Sequence, residues 1–222
     1  MSTSIRRREI LGALCAGPAL LAVSAAFAQV PAEGADYTVL ASPQTGDSPG
    51  KIEVLDFFWY GCPHCYAFLP ELEAWRKRLP ADVVYKHVPV AFDAQREPHS
   101  KIFYALQVLG RADDLHTKVF DAYHLQHRRL LEADDVADFM AGNGIAREKW
   151  LAAYNSFTVA GLVNRSRLMA QGYMIDGTPT LAIAGRYLTS PTIVRSHTNS
   201  ATLACADFLV ERARREQPRS KA

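Results

Sequence analysis

Two cysteines separated by a two-residue spacer, Cys62-Pro63-His64-Cys65, are the residues of this 222-residue chain whose types and spacing carry chemistry. Sulfurs this close in sequence can join as a disulfide and part again, a two-electron step that needs no added cofactor. The thiolate is the reactive form, so reactivity depends on whether the surroundings favour charge on sulfur. Ahead of the pair, Val54 to Tyr60 is apolar and aromatic apart from Asp56, as in a strand buried on both faces. Behind it, Phe68 or Leu69, Leu72, Trp75 and Leu79 recur at helical spacing between Tyr66 and Leu79. Cys62 is therefore predicted where a strand ends and a helix begins, with Pro63 in the first turn, where its missing N–H costs nothing. Unpaired backbone N–H groups and the positive end of the helix dipole face a sulfur placed there, and both favour thiolate. A protonated His64 adds to the effect, and Cys65, one turn in, is the resolving thiol.

Asp56 interrupts the buried run. A buried carboxylate needs a polar partner or a task. The task assigned here is proton acceptor behind the dithiol, because releasing Cys65 as an attacking thiolate requires its proton to go elsewhere. The next strand, Val83 to Val90, offers two basic residues, Lys86 and His87, which period-two alternation sends to opposite faces. Either can meet Asp56. Far downstream, Thr178-Pro179-Thr180 opens a strand that runs to Ala184, turns at Gly185-Arg186 and returns through Tyr187-Leu188, a predicted hairpin. Proline is tolerated at such a strand start.

The block Cys62-Pro63-His64-Cys65-Tyr66, with Phe57-Phe58 before it and Gly177-Thr178-Pro179-Thr180 downstream, resembles the thioredoxin superfamily. More narrowly, it resembles the DsbA family of periplasmic disulfide oxidoreductases, over nearly the whole chain after residue 35. The resemblance implies an α/β, thioredoxin-like fold and a cis Thr178–Pro179 bond packed against the dithiol, its neighbouring backbone groups pairing with an incoming extended chain. It also implies an acidic residue at the position of Asp56, usually Glu, with a basic residue in the following strand nearby. The implied clients are unfolded exported proteins with free thiols. The implied partner for reoxidation is a DsbB-like quinone reductase of the inner membrane. An isomerase or reductase of similar fold is the alternative, but it would bring a dimerisation segment or a less oxidising spacer. Neither is visible, so a monomeric oxidase is expected.

The rest of the chain must position these groups. Residues 1–28 read as a cleaved signal peptide: Arg6-Arg7-Arg8, an apolar stretch from Ile10 to Phe27, and Ala26-Phe27-Ala28 before the cleavage point. Arg7-Arg8-Glu9-Ile10-Leu11 also has a twin-arginine look, leaving Sec and Tat export both open. Residues 29–95 and 173–222 are assigned to the two parts of a thioredoxin-like domain, residues 96–172 to an inserted all-helical subdomain. Five successive helical patterns and no strand signal fill that insertion. His99, His116, His124 and His127 lie in it and are expected on helix surfaces. No third ligand recurs beside His124 and His127, so no metal site is assigned.

Cleavage removes three Arg and one Glu from 25 basic and 23 acidic residues, leaving 22 of each. A neutral chain gives no electrostatic case for nucleic acid or an anionic membrane. Of the remaining cysteines, Cys205 falls on the apolar face of a last helix, with Thr202, Ala206, Leu209 and Ala213, and is expected in the core. Asn199 or Ser200 is expected to cap that helix, and residues 217–222 to form a polar tail. Phe58, Trp59 and Tyr60, as strand residues, are expected in the core.

Overall fold

The computed structural model describes residues 30–216; the predicted signal peptide with Cys15 and the polar tail lie outside the described residues. The frame is a sheet built on β2 (Ile52–Phe58), every residue of which is buried. It is central in the sheet, with neighbours on both edges, and helices pack on both of its faces. β3 (Val83–Pro89) runs parallel to it and β4 (Thr180–Ile183) antiparallel. β5 (Tyr187–Thr189) extends the sheet from β4, and β1 (Thr38–Val39) ends it, giving the order β1-β5-β4-β2-β3. The predicted hairpin is thus present. In the hairpin turn, Ala184 and Gly185 are left-handed, at φ 53° and 68°. A Cβ on Gly185 would meet the Gln44 carbonyl oxygen at 2.0 Å, so glycine is required there on both counts.

Helix α1 (Pro63–Arg76) follows β2 directly. Five helices lie between β3 and β4: α2 (Glu97–Val108), α3 (Ala112–His124), α4 (Ala133–Gly142), α5 (Arg147–Tyr154) and α6 (Phe157–Gly172). Helix α7 (Asn199–Glu216) closes the described chain. On one face of the sheet Val54, Leu181 and Ile183 share a core with Phe68, Leu72 and Trp75 of α1 and with Cys205 and Leu209 of α7. On the other, Leu55, Phe57 and Val88 meet Ala170 of α6. A third core belongs to the inserted helices, and Phe58, Tyr60, Cys62 and Cys65 are part of it. Burying each large apolar side chain of this kind contributes about 1.5–3 kcal/mol.

Several expectations need correction. α1 ends at Arg76, three residues before Leu79. Leu79 precedes Pro80, whose ring disfavours helical backbone in the residue before it, and the chain leaves through a turn with Leu79 N–H donating to the Arg76 carbonyl. Pro70 lies inside α1 and deprives the Tyr66 carbonyl of its helical donor. The cap of α7 is neither Asn199 nor Ser200. Thr198 Oγ1 accepts from Ala201 N–H at 3.2 Å, while the Asn199 side chain reaches across to the Ala67 carbonyl and Glu71. The histidines of the insertion are not a surface set. His99 and His116 are 1% and 6% exposed, His124 is half-buried, and only His127 of the four is exposed. Neutral imidazole packs against aromatic rings as readily as another ring does, so amphipathic spacing conceals it.

Candidate active site

Cys62 is itself the N-cap of α1, at φ −85° and ψ 117°. Its Sγ accepts from the Cys65 backbone N–H at 3.4 Å, one of the donors that a helix start leaves without an internal partner. As a thiol, Sγ donates to the Thr178 carbonyl at 3.2 Å. Pro63 occupies the first helical position and the first turn holds no acidic residue. The pKa of Cys62 falls from 9.0 to about 5. The hydrogen bond from Cys65 contributes most; burial opposes it; the Thr178 side chain and the backbone N–H groups of Cys65 and His64 support it. His64 therefore acts through its backbone, and its exposed ring makes no hydrogen bond to sulfur among the described residues.

Cys65 is the opposite case. Burial, then the hydrogen bond to Cys62 and the charge there, push its pKa well above the ordinary thiol value. The two sulfurs divide the labour: one holds charge easily, the other holds its proton. Both are free thiols in this structure. Cys205 is free too, but 1% exposed, with Sγ 3.4 Å from the Asp36 carbonyl, and burial raises its pKa to about 11. Among the described residues no group of three or more His, Cys, Asp and Glu could hold a metal ion.

Asp56 is 2% exposed. The register of β2 with β3 places His87 opposite it, and His87 Nδ1 lies 2.9 Å from Asp56 Oδ2. The same oxygen accepts from the Tyr85 hydroxyl at 3.0 Å, and Oδ1 has no partner. Burial alone would lower the His87 pKa, but Asp56 and Glu73 outweigh it and hold it above the ordinary histidine value. Lys86 points the other way, to Glu53 at 2.6 Å and to Asp47. So the choice between Lys86 and His87 resolves to His87. Tyr85, two residues before His87, lies on the same face of β3, as period-two alternation requires. No hydrogen bond joins Asp56 to either cysteine among the described residues.

The Thr178–Pro179 bond is cis, and Thr178 lies against both sulfurs. Of the aromatic residues before the motif, Phe58 and Tyr60 are core, at 2% and 1% exposure. Trp59 is only half-buried, with the Arg96 guanidinium 4.8 Å from its ring centroid and the ring of His99 stacked on it. Three residues absent from the predicted site touch its flanks. His124 donates to the Tyr60 carbonyl at 2.9 Å and stacks on Tyr66, and the Tyr66 hydroxyl donates to Asp121 at 2.8 Å.

Residues 53–198 match the model of a DSBA-like thioredoxin domain. The thiol:disulfide interchange protein DsbA of Burkholderia cepacia is 44% identical over 198 residues, spanning 86% of this chain and 92% of its own length. The protein of the same name from Pseudomonas aeruginosa strain PAO1 is 38% identical over 208 residues, spanning 94% and 97%. The crystal structure of Pseudomonas aeruginosa DsbA superposes with a TM-score of 0.78 at 39% identity, covering 82% of this chain and 94% of that one. That of the oxidoreductase DsbA from Xylella fastidiosa gives 0.78 at 32% identity, covering 84% and 100%.

Proposed function

This chain belongs to the DsbA family of thioredoxin-fold proteins, and from that premise we propose how its cysteines work. The chain is a thiol:disulfide oxidoreductase. It starts a cycle with Cys62 and Cys65 joined. A client thiolate attacks Cys62 Sγ; the Cys62–Cys65 bond breaks, a client–Cys62 bond forms, and Cys65 takes up a proton. The client's second thiolate then attacks its own bridged sulfur and expels Cys62 as thiolate. Two electrons pass from client to enzyme, and the client leaves as a disulfide.

The observation that carries this reading is the unequal pair of sulfurs. A sulfur whose pKa falls to about 5 is a good leaving group, so the second displacement is favoured. Whatever stabilises that thiolate stabilises the reduced protein and makes its disulfide a stronger oxidant, a relation for which DsbA proteins are the standard example. Pro63 keeps the first turn in place without a competing donor, and His64 supplies a backbone N–H. Asp56 serves as the buried acid–base group whose charge His87 shares. Thr178 and Pro179 form the edge against which an extended client strand lies, its backbone pairing beside Cys62.

The clients are exported proteins with free thiols, and the protein works as a monomer in the periplasm. Reoxidation by a DsbB-like membrane quinone reductase returns it to the start. No described helix is long and apolar enough to cross a membrane. The test is oxidation of a reduced client protein by wild type and by Cys62→Ser, together with the equilibrium of the dithiol against glutathione. Equal activity in the two proteins, or an equilibrium like that of a reducing thioredoxin, would remove the oxidase reading.

A further inference from the structure

One imidazole touches both flanks of the cysteine motif. In the last turn of α3, His124 Nε2 donates to the Tyr60 carbonyl at 2.9 Å. A carbonyl only accepts, so the ring carries its hydrogen on Nε2. The same ring lies flat on Tyr66, with centroids 4.6 Å and planes 8° apart. Tyr60 is two residues before Cys62, and Tyr66 is the residue after Cys65. Tyr66 is held at its far end as well, by its hydroxyl bond to Asp121. Further back on α3, His116 Nδ1 shares a 2.9 Å hydrogen bond with the Tyr60 hydroxyl, and Phe120 packs on both tyrosines. His116, Phe120 and His124 follow at intervals of four, so one stripe of α3 faces the motif.

The bond to Tyr60 falls where it controls most. Residues 59–62 form a turn closed by Cys62 N–H donating to the Trp59 carbonyl at 3.0 Å. Tyr60 and Gly61 are its central residues, and the peptide unit between two such residues can flip while the ends stay put, which is how type I and type II turns differ. The direction of the Tyr60 carbonyl therefore selects the turn type through which the chain reaches Cys62, and with it the backbone dihedrals on either side of Gly61. We infer that His124 is a positioning residue: its hydrogen bond to the Tyr60 carbonyl holds the turn that sets Cys62 Sγ on the N–H groups of α1. The inserted helices thereby tune the dithiol through a residue that touches neither sulfur. This rests on Cys62 being the attacked sulfur.

His124→Phe keeps a flat ring on Tyr66 and removes the donor; His124→Gln places an amide N–H near the lost Nε2. One neutral hydrogen bond has a net worth of about 0.5–1.5 kcal/mol, so His124→Phe should shift the glutathione equilibrium by about two- to twelvefold toward the disulfide form. It should raise the Cys62 titration midpoint with it, while His124→Gln keeps both near wild type. Unchanged equilibrium and titration in His124→Phe, even with a lower Tm, would overturn the inference. Equal shifts in the two variants would assign the effect to packing and overturn it too. Nitrogen NMR of the wild-type ring tests it without any variant: an Nε2–H tautomer is expected and an Nδ1–H tautomer refutes it. A wild-type Cys62 that titrates like a free thiol would instead strike the functional reading, which keeps the two failures apart.

Discussion

His87 Nδ1 lies 2.9 Å from Asp56 Oδ2, with the two side chains only 13% and 3% exposed. Removing one member of a buried charged pair leaves the other without compensation, and the loss is about 3 kcal/mol. Asp56→Asn should show it in urea unfolding. The pH dependence carries the sign of the pair. The His87 pKa is raised, so its contribution is complete below the unfolded value of 6.5 and lost as pH rises through the folded one. That alkaline loss should shrink in Asp56→Asn. An identical profile in both proteins would mean that the two groups do not share a proton.

The charge on Cys62 should show in the redox equilibrium itself. Its pKa is lowered from 9.0 to about 5, so its contribution to the reduced fold is complete above 9 and is lost as pH falls through about 5. Above pH 5, reduction of the disulfide takes up one proton with two electrons, at Cys65. Below it, two protons are taken up. Each proton per two-electron step is worth about 30 mV per pH unit, so the potential should fall with a slope near 30 above pH 5 and near 59 below it. A single slope of about 59 through neutrality would mean an ordinary thiol at Cys62, as would a 240 nm titration with no acidic midpoint.

Gly61 has no room for a side chain. A Cβ there would stand 2.3 Å from the Trp59 indole, which packs against Arg96 and His99. Gly61→Ala should therefore destabilise the protein by about 1–3 kcal/mol and alter the Trp59 environment seen in fluorescence. Wild-type stability in this variant would show that the indole swings aside freely.

Cys205 is a free, buried cysteine in the core that α7 shares with α1 and the sheet. Cys205→Ala should cost about 1–2 kcal/mol through the cavity left beside Leu209 and leave client oxidation unchanged. A large loss of activity at unchanged stability would reopen a third role for sulfur in the cycle.

Much of this architecture was legible because local rules and tertiary needs agree. The run Val54–Phe58 is apolar apart from Asp56 because helices cover both faces of the sheet, and Cys62 could be assigned to a helix start because Pro63 and the spacing from Phe68 onward say so. What escaped notice is what the third dimension alone decides. Lys86 and His87 have equal claims on Asp56 until the register of β2 and β3 is known. His116 and His124 look like ordinary polar positions on α3, and their spacing points to one face without saying what that face covers. Pro70 breaks a local rule inside α1, and the packing of Phe68, Leu72 and Trp75 around it overrides the rule. Asn199 and Ser200 both have cap chemistry, but the Asn199 side chain is engaged with Glu71 and Thr198 takes the cap.

Cys62 and Thr178 touch at 3.2 Å although 116 residues of chain separate them. A ribosome delivers the sulfur long before it delivers the strand that completes its surroundings. Until β4 has paired with β2, Thr178 is not in place beside Cys62. A chain cut short within the inserted helices therefore has both cysteines but lacks the Thr178 carbonyl that lies against Cys62.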